Sequence, residues 1–201
     1  MAKARRVPGI QAKESLRDNA RRVIDVRLDE LLSWRAALED PDLVTQLHNM
    51  RIAAKRLRYA LEIFEICFLE AKGSVKRLSL MQDHLGSIHD LDVLIEILRA
   101  HLRDLDLKLE AQGVETIRAV GSSRERSNKL RQLLYAQARE PRRLGLIGLI
   151  ADKTLERERY YMELVEKWGP KTLDALAEEL RQATGLVQAP FEAQSASPDL
   201  V

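Results

Sequence analysis

The chain has 201 residues, 45% of them hydrophobic and 32% charged, with 33 Lys and Arg against 31 Asp and Glu and a single cysteine. That length suits one domain or two small ones, and the apolar content is ample for a core, so disorder throughout is excluded. Cys67 alone allows no intrachain disulfide and no cysteine-rich zinc module, and its apolar helical setting suggests a core thiol. No apolar run nears the roughly 18 residues of a spanning helix, and the basic start precedes no signal-type stretch, so a soluble cytoplasmic protein is expected. The net charge of +2 hides a division, because residues 118–143 carry eight Lys and Arg against two acids. Such local fields point to an anionic partner. Aromatic residues make up only 4%, too few for the stacking platforms of a single-strand nucleic-acid binder.

In chain order, residues 1–10 contain Lys3, Arg5, Arg6 and Pro8-Gly9 and read as a flexible basic arm. From Gln11 to Leu38, Leu16, Ala20, Val23, Ile24 and Leu31 recur at helical spacing. Asp40 as N-cap and Pro41 at the first helical position predict a second helix running to about Glu70. On its one side fall Met50, Ala53, Ala54, Leu57, Leu61, Phe64 and Phe68. On another fall His48, Arg51, Lys55 and Arg58, spaced three and four apart in a single file, with Tyr59 at its edge and Arg56 turned away. Like charges at these spacings repel by a few tenths of a kcal/mol per pair, so the file needs strong packing behind it or an anion in front.

Gly73-Ser74 predicts a break and a cap for a third helix, in which Val75, Leu78, Gln82 and Leu85 share a side and Lys76 and Arg77 lie in the first turn. Gly86-Ser87 predicts a corner, with Ser87 and Asp90 as a capping box opening a fourth helix to about Gln112, ended by Gly113 as a left-handed C-cap. After a short helical piece, Gly121-Ser122-Ser123 with Glu125 predicts a capped helix placing Arg124, Asn128, Arg131 and Tyr135 in a second basic file. Pro141 stops it. Arg142 to Trp168 forms the next helix, where Gly145 and Gly148 are expected to allow close helix approach. Gly169-Pro170 breaks the chain before a last amphipathic helix, about Lys171 to Ala183, and residues 186–201 are expected to be a disordered tail.

Taken together, the stretch from His48 to Arg58 and the stretch Leu85-Gly86-Ser87-Ile88-His89-Asp90-Leu91-Asp92-Val93 resemble the CHAD family of helical domains with characteristic histidines. The resemblance rests on His48, Arg51, Lys55, Arg56 and Arg58, then on Leu85, Gly86, Asp90 and Val93, and covers about residues 12 to 140. It implies paired antiparallel helical bundles and binding of inorganic polyphosphate. His89 stands where an arginine often precedes the family's aspartate. The family usually shows its histidine motif twice, whereas no histidine follows His101 here, so either one subunit encloses the anion or two subunits, as a homodimer, share it.

No strand-like alternation, G-x-G-x-x-G or P-loop pattern is present. The fold expected is therefore all-α, an antiparallel, CHAD-like bundle of about six to seven helices with a divergent second repeat. Residues 11–185 would form the domain, with a four-helix unit at 11–113 and a divergent unit at 114–185. The expected polyphosphate-binding residues are His48, Arg51, Lys55 and Arg58, with Arg56, Lys76, Arg77, His84 and His89 at the margin and Arg124 and Arg131 as a second wall. Arginine offers bidentate contacts to phosphate oxygens and lysine a mobile ammonium. No cofactor and no catalytic residue are assigned. The competing readings are a nucleic-acid backbone binder and a metal-dependent phosphohydrolase using His84, His89, Asp90 and Asp92. The five-residue spacing of the two histidines argues against the latter, because a helix chelates through i and i+4. Expected localisation is the cytoplasm, in association with polyphosphate granules.

Overall fold

The computed structural model describes residues 3–186, and the expected tail lies outside the described residues apart from Leu186. Six α-helices, α1 (Leu16–Leu32), α2 (Val44–Ile63), α3 (Lys72–Arg118), α4 (Ser123–Ala138), α5 (Pro141–Trp168) and α6 (Pro170–Thr184), account for most of them. Short 3-10 turns lie at Arg35–Leu38, Glu65–Cys67 and Leu69–Ala71, and no strand occurs among the described residues. The fold class is all-α, as expected.

The first helix begins later than its apolar pattern. Ser15 is the N-cap, its Oγ accepting from the Asp18 amide at 3.1 Å. Gln11 is held instead by Asn19, whose side chain bonds both its backbone groups at 3.0 and 2.8 Å. The second helix also starts late. Asp40 Oδ1 accepts from the Asp42 amide at 2.8 Å, a local turn rather than a helix cap, and α2 begins at Val44 with no side-chain cap. It ends at Ile63, so Phe68 is buried from a connecting turn and Cys67 is only half-buried in another.

The predicted third and fourth helices are one helix of 47 residues. Ser74 does not cap it. Fully buried, it donates from Oγ to Glu179 Oε1 of α6 at 2.8 Å. The Gly86-Ser87 corner and the Ser87–Asp90 capping box are therefore absent, and Gly113 lies within the helix without a positive φ. Ser122 caps α4 as predicted, accepting from the Glu125 amide at 3.3 Å and donating to its carboxylate at 2.8 Å. Gly185, with φ +69°, ends α6 in the left-handed conformation. Gly145 and Gly148 correct another expectation, since a Cβ at either would meet nothing within 4 Å among the described residues.

The chain divides into two compact units, one made of the residues up to Leu85 together with those from Leu164 onward, the other of Gly86–Glu163. In the first, α1 packs on α2 and α6. Ala20, Ile24, Leu28 and Leu31 of α1 and Leu47, Met50, Ala53, Ala54, Leu57 and Leu61 of α2 are buried, with Leu78, Met81 and Leu85 of α3 and Leu173, Leu176 and Leu180 of α6. The basic segment expected to be a flexible arm is anchored here, for the Arg5 amide donates to Glu30 and the Arg5 carbonyl accepts from Arg27 Nη1 at 3.0 Å. In the second unit Ile88, Leu91, Ile95 and Leu98 of α3 are buried, and Asp92 pairs with Arg157 at 2.5 Å with both side chains largely covered.

Candidate anion-binding site

The apolar stripe of α2 faces its neighbours, which fixes the direction of its cations. Arg51 and Arg58 are half-buried and Lys55 is exposed. Tyr59, one turn beyond Lys55, is 43% exposed and gives the file a surface to rest on. Lys55 Nζ lies 5.6 Å and Arg58 Cζ 4.9 Å from its ring centroid, both within cation–π range. Two positive groups thus converge on one aromatic ring.

Acidic partners are scarce along the file. Arg58 Nη1 stands 3.3 Å from Glu62 Oε1, an i,i+4 pair at the file's lower end, and Arg58 Nε is buried without an acceptor among the described residues. Arg51 and Lys55 form no ion pair among the described residues. His48, half-buried, opens the file one turn before Arg51. Arg56 points elsewhere: its Nη1 is 4.0 Å from Glu30 Oε1, whose side chain is 5% exposed and also receives Arg27 at 2.7 Å. A buried carboxylate needs such partners, so Arg56 belongs to the support of α1 against α2.

A second cluster lies on α3. Arg77 pairs with Glu179 and stacks over Trp168, 5.8 Å from its ring. His84 Nδ1 lies 2.8 Å from the Leu80 carbonyl, which only an N–H at that position satisfies, leaving Nε2 to accept from Lys167 Nζ at 3.1 Å. Lys76 is exposed on the same helix. His89, in the second unit, is half-buried, and Arg124 and Arg131 are exposed on α4. Arg131, Gln132, Tyr135, Ala136 and Arg139 line a shallow concavity on that helix, with Arg139 4.7 Å from the Tyr135 ring.

The structure thus brings Lys55 and Arg58 together on Tyr59, with Arg51 one turn before Lys55 on the same helix, and Arg77 and His84 together with Trp168 and Lys167. Sequence reasoning placed Tyr59 only at the edge. Its position four residues after Lys55 and next to Arg58 was the available signal. Lys167 and Glu179 were missed because they lie 83 and 102 residues from their partners.

Among the described residues no group of three or more His, Cys, Asp and Glu side chains is arranged to hold a metal ion. Asp92, one of the ligands considered, is committed to Arg157. No helix among the described residues is long and apolar enough to cross a membrane. Compared with known protein families, residues 2–99 match the CHAD domain. No curated protein and no solved structure matches the chain.

Proposed function

Over residues 2–99 the chain belongs to the CHAD domain family, and from that premise we propose that it binds inorganic polyphosphate along the cation file of α2. CHAD domains are associated with polyphosphate binding in general. The observation that carries the reading for this chain is that Arg51 and Lys55 have no acidic partner among the described residues while Lys55 and Arg58 converge on Tyr59. A neutralised file would have nothing to offer a polyanion. This one holds its charge on a helix whose opposite side is buried, so little ordering remains to be done on binding.

Polyphosphate is a flexible line of tetrahedral anions, and a row of guanidinium and ammonium groups suits it better than one closed pocket. Arg51 and Arg58 supply planar paired donors and Lys55 a point charge between them. Arg58 must exchange Glu62, its partner on the exposed side, for a phosphate oxygen. His48 extends the row when protonated. Lys76 and Arg77 add positive charge on α3 within the same unit, and His84, His89, Arg124 and Arg131 are proposed as further contacts, whereas Arg56 acts through Glu30 and positions the helix.

The test is a gel shift with long-chain polyphosphate on the wild type and on Arg51→Ala/Lys55→Ala/Arg58→Ala, with helicity followed by circular dichroism. Loss of the shift at unchanged helicity is the expected result, and a retained shift overturns the site. Duplex DNA or RNA displacing polyphosphate at equal phosphate concentration assigns the face to nucleic acid instead. Phosphate release in the presence of a transition metal assigns hydrolysis.

A further inference from the structure

From Leu91 to Val114, α3 carries apolar stripes on opposite sides. One comprises buried Leu91, Ile95 and Leu98, continued by half-buried Leu102, Leu105 and Leu109. The other comprises Val93, Ile97, Ala100, Asp104, Leu107, Ala111 and Val114. All seven are exposed, Ile97 by 49% and Leu107 by 65%. Its steps alternate four and three, the heptad spacing of a two-helix seam, and it extends for about 32 Å. A surface helix ordinarily keeps its outer side polar. This outer side is apolar except at Asp104, which pairs with Lys108 at 2.7 Å.

We propose that this outer stripe is a self-association seam, occupied by α3 of a second copy of the chain running antiparallel about a two-fold axis between Asp104 and Leu107. The flanking charges select both occupant and direction. Antiparallel packing sets Ile97 opposite Val114 of the second copy, Ala100 opposite Ala111, and Arg103, which within one copy pairs with Glu96 at 2.9 Å, opposite Glu110 twice by symmetry. His101 faces Lys108, also twice by symmetry. Parallel packing would set Asp104 against the second Asp104 and, twice each by symmetry, Arg103 against Lys108 and Glu110 against Glu115, five like-charge contacts. Asp104 within the seam costs stability and fixes the register, as single polar residues do in coiled coils.

Sedimentation equilibrium of the full chain at micromolar concentration is expected to give twice the 23.0 kDa chain mass. Ile97→Glu/Leu107→Glu should give a monomer with unchanged helicity, because both side chains are exposed within one copy. A monomeric wild type overturns the seam, and so does a dimer that survives the double substitution. Arg103→Glu and Glu110→Arg should each dimerise about tenfold more weakly, while an equimolar mixture of the two recovers the dimer through the restored opposite charges. Tighter dimerisation of Arg103→Glu alone, or no recovery in the mixture, overturns the antiparallel direction.

Discussion

Helices α2 and α4 each carry a file of cations, yet they are held differently. In α2 the side opposite the file is buried through Leu47, Asn49, Met50, Ala53, Ala54, Leu57, Ala60 and Leu61. In α4 no residue is buried, and Leu130, Leu134 and Tyr135 are exposed beside Arg124 and Arg131. Closely spaced like charges cost some tenths of a kcal/mol per pair, which a packed helix absorbs and an unpacked one does not. The α2 file is therefore a fixed array. The α4 file is a source of potential whose geometry is set by the helix alone.

That contrast is most sharply tested in the packing itself. Leu57→Ala empties a fully buried position and should lower stability by about 2–5 kcal/mol, whereas Leu134→Ala on α4 should change it by less than about 0.5 kcal/mol. Chemical denaturation of both variants reads the difference, and similar losses would erase the distinction drawn between the two helices.

The next effect is on binding. Arg51→Ala/Lys55→Ala/Arg58→Ala should weaken polyphosphate binding by about a hundredfold at low salt, consistent with roughly 1 kcal/mol for each partly exposed contact. Arg124→Ala/Arg131→Ala should weaken it by about threefold or less. Titrations at rising salt should show affinity falling in the wild type and a shallower slope in the triple variant, as fewer counterions are displaced. If the α4 pair matters as much as the α2 triple, the fixed array has no special role.

Smaller effects follow from Gly145 and Gly148 of α5. With open space around both, Gly145→Ala and Gly148→Ala should each raise stability by about 0.4–1 kcal/mol, read as a higher denaturation midpoint. Gly169 is the opposite case, since a Cβ there would stand 2.7 Å from the Val165 carbonyl oxygen, and Gly169→Ala should lower the midpoint.

The smallest expected effect is a pH dependence at Asp25 of α1, which feels Arg181 of α6. Burial, with the nearby Asp29 charge adding to it and Arg181 opposing it, holds the Asp25 carboxyl above its usual range. The folded chain then keeps this proton to higher pH than the unfolded chain does. Its contribution to stability falls as pH rises from the ordinary aspartate value through the raised one, and stays low above it. Asp25→Asn should accordingly melt slightly higher than the wild type at pH 7, with the gap closing in acid. A lower melting temperature at pH 7 would show that the Arg181 attraction dominates.

Much of α2 was legible because one helical period carried both the apolar stripe and the cation file. All the predicted apolar positions of the helix itself, Met50, Ala53, Ala54, Leu57 and Leu61, are buried. Its ends were misread. Asp40-Pro41 has the residue types of a helix start, but the carboxylate is used two residues on, inside a turn. In α3 each Gly-Ser pair looked like a break, although glycine in a helix interior costs only about 1 kcal/mol. Buried side chains recurring at steps of three and four from Leu78 through Leu98 outweigh that cost, and Ser74 finds Glu179 instead of its own backbone. The cluster around His84 could not be read, because α3 meets the end of α5 only after the chain has folded.

The boundaries of the two compact units, Leu85/Gly86 and Glu163/Leu164, both fall inside helices, within α3 and α5. No exposed linker marks either one for a protease to nick. Truncation at these places would leave severed rods with amides and carbonyls bereft of their next turn, so neither half is a natural excision product. Trimming of this protein, in the laboratory or over evolutionary time, must proceed by whole helices, and the two halves inherit one another's fraying.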